Sequence, residues 1–84
     1  MTPLQAAKKV RSSLIATYGE SEDLVVWNKK QCARQGFGDG EAALVWEGGP
    51  EEWAVNVSMS PVALSMPGIL AEPYNSFILN FYKC

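Results

Sequence analysis

Three places in this chain carry residue types that do chemistry elsewhere. Cys32 is flanked by Lys29, Lys30 and Arg34, and neighbouring cations lower a thiol pKa and favour the nucleophilic thiolate. Glu47, Glu51 and Glu52 surround Gly48-Gly49-Pro50; paired carboxylates can exchange protons or hold a hard cation. Gly36-Phe37-Gly38-Asp39-Gly40 has the glycine density of a loop that cradles phosphate. Each falls short of a working site. The chain has no histidine, which removes the commonest general base, every His-dependent triad and most catalytic metal sites. Without a partner base, Cys32 reads as a half-buried helical cysteine. A cation needs more fixed oxygen ligands than a Gly-Gly-Pro turn provides. A phosphate loop follows a strand, opens a helix and ends in Lys and Ser or Thr. The glycine-rich segment here follows a helix and leads into a strand, and Asp39 would repel phosphate. No catalytic residue, no metal and no cofactor is therefore expected.

Bulk properties narrow the remaining classes. The chain has 84 residues, 48% of them hydrophobic, including three Trp, three Tyr and three Phe. That supports one small packed domain over residues 1–84 and excludes a disordered chain. The formal net charge of −2 argues against direct nucleic-acid binding, which needs an excess of Lys and Arg to neutralise phosphates. No apolar run approaches the length of a bilayer crossing. Lys8, Lys9 and Arg11 interrupt the first stretch, so no signal peptide is expected. Two cysteines, Cys32 and Cys84, are fewer than a stapled secreted domain usually carries. Free thiols and a cytoplasmic location are the expectation.

The secondary structure around these residues is legible in part. Thr2, Pro3 and Gln5 make a capping box with proline at the first helical position, and Leu4, Ala7, Val10 or Arg11, Leu14 and Tyr18 follow at helical spacing. A helix over 3–18, ended by Gly19, is expected. Leu24-Val25-Val26-Trp27 reads as a short strand. Asn28 and Gln31 form a second capping box for a helix over 29–35 that stops at Gly36. Residues 41–47 and 52–60 read as a hairpin across 48–51, with Glu47 opposite Glu52 and Trp46 opposite Trp53. Alternation then puts Trp46, Trp53, Leu44, Val55, Ala42 and Val57 on a core face, and Val45, Ala54 and Ala43 on the reverse. Pro61, Pro67 and Pro73 break up 61–75, leaving room only for a brief strand over 62–66. A last strand over 76–83 places Phe77, Leu79 and Phe81 in the core and Ile78, Asn80 and Tyr82 on the reverse face. The sum is an α+β fold: an N-terminal helix packed on a small, mainly antiparallel sheet of about three to five strands, with a second short helix.

With no catalytic group in view, the sequence favours a non-enzymatic protein that binds a protein partner with a basic surface. The residues expected to make that contact are Glu47, Glu51 and Glu52 at the hairpin tip, Ile78 and Tyr82 on the reverse sheet face, and Tyr74 in the proline-punctuated segment. In class alone, a compact acidic domain of this kind is similar to the small inhibitors that phages and mobile elements use against host defence nucleases. Those inhibitors place acidic side chains in nucleic-acid channels. No motif carries the likeness. The alternative is a homo-oligomer with a pocket for a small molecule or nucleotide signal between protomers, stacked on Trp27 or Tyr74.

Overall fold

A computed structural model describes residues 1–36, 40–49 and 51–84. Helix α1 (Pro3–Tyr18) starts as its sequence dictates: Gln5 N–H donates to Thr2 Oγ1 at 3.1 Å and Thr2 N–H to Gln5 Oε1 at 2.8 Å. Strand β1 (Leu24–Asn28) runs directly into α2 (Lys29–Gln35), because Asn28 and Gln31 exchange the same pair of bonds and Gly36 closes the helix at φ 70°. Strand β2 (Ala42–Trp46) follows.

Beyond β2 the chain departs from the expected hairpin. Residues 53–58 form a helix, α3 (Trp53–Ser58), followed by α4 (Pro61–Leu64). Strands β3 (Ile69–Asn75) and β4 (Ile78–Lys83) complete an antiparallel sheet of order β1-β2-β4-β3. The reason is positional. β2 is an interior strand with β1 on one side and β4 on the other, so neither of its edges is free for residues 52–60. Those residues cross the sheet as a helix instead. Glu47 therefore does not face Glu52, and Ala54 belongs to the main core, not to the reverse face. Val55 turns outward. Trp46 and Trp53 nonetheless meet, edge to face, with centroids 5.8 Å apart. Gly49 passes flat over Trp46: a Cβ there would lie 2.7 Å from Cδ2 of the indole.

The segment 61–75 also differs from expectation. The brief strand expected over 62–66 is replaced by α4, whose N-cap Ser60 accepts from Ala63 N–H at 3.3 Å and whose first residue is Pro61. β3 carries Pro73 inside a strand because of where its nitrogen points. Trp46 N–H donates to Phe77 C=O at 3.0 Å, so alternation turns the backbones of Leu79 and Phe81 toward β2, and those of Ile78, Asn80 and Tyr82 toward β3. Their β3 partners Leu70 and Glu72 bond inward, while Ile69, Ala71 and Pro73 face the open edge. The missing N–H of Pro73 costs no ladder bond.

One face of the sheet carries most of the core: Leu24, Ala42, Leu44, Trp46, Leu79 and Phe81 pack under α1, α3 and α4. The other holds a smaller cluster of Ala43, Val45 and Ile78 with Cys32 of α2, and Trp27 half-buried beside it.

Candidate functional site

The smaller face opens into a groove of about 510 Å³ lined by Trp27, Gln35, Val45, Glu47, Gly48, Asn75, Phe77 and Ile78. Its floor is apolar because alternation aims Trp27, Val45 and Ile78, one from each of three adjacent strands, to the same side. Two turns and the end of α2 wall it. Gln35 ends α2 just before Gly36, Glu47 and Gly48 leave β2 through a turn with Gly48 at φ 78°, and Asn75 and Phe77 bracket the β3–β4 turn. In that last turn the Phe77 N–H donates to Asn75 Oδ1 at 2.8 Å, which fixes the side-chain amide. Phe77 is 45% exposed. It was expected in the core with Leu79 and Phe81, but it lies in the turn before β4 begins.

Glu47 is the charged member of this lining among the described residues, and it is exposed. The basic residues Lys29 and Lys30 begin α2 beyond Asn28, which pairs with Ala42 at the opposite end of β2. At about 3.4 Å per residue they stand roughly 17 Å along the strand from Glu47. Arg34 is in the last turn of α2, next to Gln35, and is not part of the lining.

Of the residues expected to bind a partner, the structure brings Glu47 and Ile78 together here. Ile78 is only 3% exposed, so it supports the floor and is not a contact that a partner surface reaches freely. Tyr82 shares the face but stands farther along β4, half-buried, its hydroxyl accepting from Asn80 Nδ2 at 3.4 Å. Tyr74 is exposed at the irregular end of β3. Glu51 and Glu52 are exposed ahead of α3, outside the groove. Glu52 holds φ 57° as the N-cap of α3, with no side-chain capping bond. Gln35, Asn75 and Phe77 were not among the expected contacts, and Trp27 was expected only as a stacking surface for a ligand in the oligomeric alternative. Asn75-Ser76 is a turn signal in the sequence, and it would have moved Phe77 out of the strand.

A second exposed apolar surface lies on the other side. Val55, Met59 and Leu64 are 46%, 68% and 68% exposed, within residues 53–71, which contain no Asp, Glu, Lys or Arg.

The chemistry considered for Cys32 meets the opposite environment. The side chain is buried against Ala43, Val45 and Ile78, and desolvation raises its pKa above the ordinary value, partly offset by a backbone hydrogen bond. A thiol held protonated in this way is a poor nucleophile at neutral pH. Among the described residues, no group of three Cys, Asp or Glu is placed to hold a metal ion. The glycine-rich segment's Phe37, Gly38 and Asp39, and Pro50 of the acidic turn, lie outside the described residues. No helix among the described residues is long and apolar enough to cross a membrane. No protein-family model, curated protein or solved structure matches this chain.

Proposed function

We propose that this chain is a non-enzymatic binding protein that acts by protein–protein contact through the groove on the smaller face of its sheet. The observation that carries the reading is the lining itself: an open apolar floor of Trp27, Val45, Phe77 and Ile78 beside the Glu47 carboxylate, the single charged group among its described residues. Recognition sites commonly join an apolar, aromatic-rich centre to a few fixed polar groups. A partner that seats an apolar side chain on the floor and a cation on Glu47 satisfies both halves, and a basic partner surface supplies that cation. Gln35 and Asn75 offer amides for the partner's backbone. An inhibitory role is the narrower form of this reading, in which the chain occupies a basic functional surface of its target.

The absence of histidine and the buried, protonated state of Cys32 support the non-enzymatic half. The apolar surface of Val55, Met59 and Leu64 offers area without a charge to set orientation, so it ranks below the groove.

The test is capture from an extract of the source cells, with the wild-type chain and the variants Glu47→Lys and Phe77→Ser immobilised in parallel. Both side chains are exposed, so the fold should survive each change. A protein retained by the wild type and lost by both variants is the expected result. Equal retention by all three sinks the groove reading. A small molecule carried by the purified wild type in native mass spectrometry, with no protein captured, sinks the protein-contact reading and favours a ligand-binding one.

A further inference from the structure

We infer that the groove receives a short linear segment of its partner, one apolar residue beside an Arg or Lys, held without β-strand pairing; the inference rests on the protein-contact reading above. Three observations lead to it. The first is that both sheet edges are largely closed to an added strand. At β1, Leu24, Val26 and Asn28 turn their backbones outward, because Val25 and Trp27 bond to Val45 and Ala43. Leu24 is already occupied: its N–H donates to Ser21 C=O at 3.4 Å and its C=O accepts from Arg11 Nε at 2.9 Å. Asn28 N–H is taken by Gln31 Oε1 at 2.8 Å. At β3, Ile69 N–H donates to Met66 C=O at 3.3 Å and Pro73 has no N–H to give. Of these outward groups, one N–H is left on each edge, at Val26 and at Ala71, so neither edge offers the run of alternating donors and acceptors that strand addition needs.

The second observation is size. A stable interface between folded surfaces removes roughly 800 Å² from each partner. A groove of 510 Å³, bounded by two turns and the end of α2, lies in the range of about 300–1,000 Å³ that suits a compact ligand or a few side chains. It fits a hook better than a face.

The third is charge. Among the described residues, the lining carries one carboxylate and no cation. An apolar residue bound on the floor excludes water from one side of Glu47, and a cation next to it on the same segment compensates that lost hydration. An acidic or neutral neighbour cannot. Specificity for a positive residue follows from what the carboxylate loses when the wrong segment binds.

The experiment is selection of a displayed random-peptide library on the immobilised wild-type chain, followed by titration of the enriched synthetic peptides. Enriched sequences should pair an apolar residue with Arg or Lys within a residue or two. Glu47→Lys and Phe77→Ser should each weaken those peptides by about tenfold or more. Selection repeated on Glu47→Lys should enrich Asp or Glu in place of the cation. Failure to enrich any consensus on the wild type overturns the inference, as does a consensus that binds both variants unchanged. If the peptides fail while the wild type still captures a protein that Phe77→Ser loses, the linear segment is wrong and the protein-contact reading stands. If both fail, the reading falls with it.

Discussion

The two faces of the sheet are built from alternate residues of the same strands, yet they end as different kinds of surface. Along β2, Ala42, Leu44 and Trp46 point to one side, and Ala43 and Val45 to the other. Along β4, Leu79 and Phe81 oppose Ile78 and Asn80. The larger side chains go to the face covered by the 16-residue α1 together with α3 and α4; the smaller go to the face covered by the 7-residue α2. A chain of this size buries only about 60–65% of its unfolded surface, too little to close two layers equally well. One face is closed and supplies stability. The other is left partly open, with Phe77 exposed at its rim.

The widest separation between the faces should appear in stability. Trp53→Ala removes a ring that is 3% exposed and packed against Trp46, and should cost roughly 3–5 kcal/mol, enough to unfold so small a domain. Phe77→Ser, on the open face, should cost less than about 1 kcal/mol. Denaturant titrations of the two variants measure the contrast directly. Equal losses would mean that the second face is also structural core. Trp53→Phe sharpens the point. The indole Nε1 is buried without an acceptor among the described residues, so exchanging it for a smaller ring relieves an unpaired donor while leaving a cavity. Its cost should fall well below that of alanine.

A smaller loss is expected where α1 guards the sheet edge. Arg11 donates from Nε to Leu24 C=O and reaches Glu20 at 3.3 Å. Arg11→Met keeps the stem but uncovers the Leu24 carbonyl, and should cost about 1–2 kcal/mol. It should also promote aggregation through the newly open edge, visible as light scattering at high protein concentration. Glu20→Gln, at the exposed end of the pair, should change stability by less than about 0.5 kcal/mol. If Arg11→Met stays monodisperse and stable, the edge is guarded by something other than this side chain.

What the sequence disclosed follows the range over which each signal acts. The capping boxes at Thr2 and Asn28 work within four residues, and both helices begin where those boxes place them and end at Gly19 and Gly36. The α+β class, the antiparallel sheet and the assignment of Leu44, Trp46, Leu79 and Phe81 to one face follow from local periodicity. The strand expected over 52–60 failed because strand pairing is non-local. Glu41 to Trp46 and the segment after Gly49 look like two halves of a hairpin until β4, more than thirty residues on, takes the same edge of β2. Buried Trp53, Ala54 and Ser58, at helical rather than alternating spacing, are visible in retrospect. β3 was hidden by Pro73, whose tolerance depends on which way one nitrogen points in a sheet not yet assembled. The groove was half legible for the same reason: Glu47 is exposed wherever its turn goes, whereas Phe77 reaches the rim only because Asn75 forms a turn.

Glu52 offers a change of opposite sign. It adopts a left-handed φ of 57° at the start of α3, a conformation that costs a non-glycine residue on the order of 1 kcal/mol. Glu52→Gly should therefore stabilise the chain by about 0.5–1 kcal/mol in denaturant titration. Because Glu52 lies outside the groove, the same variant should leave peptide selection unaltered. Loss of peptide binding would move the acidic tip back into the site.

The smallest expected effect tests how dry the second face is beneath α2. Burial raises the Cys32 pKa from its ordinary 9.0, so the folded chain holds that proton when the unfolded chain has released it. The unfolded state then binds fewer protons, and stability must fall as pH rises. The contribution is fully present below the ordinary thiol pKa and is lost as pH climbs through the raised value. The informative quantity is the difference between wild type and Cys32→Ala measured side by side at increasing alkaline pH. The alanine variant should start less stable, from the lost packing, and the gap should narrow as pH rises. Exposed Cys84 should react with iodoacetamide well before Cys32 does. A gap that stays constant with pH, or two thiols alkylated at one rate, would mean that water reaches Cys32 beneath α2 and that the second face is open deeper than its groove.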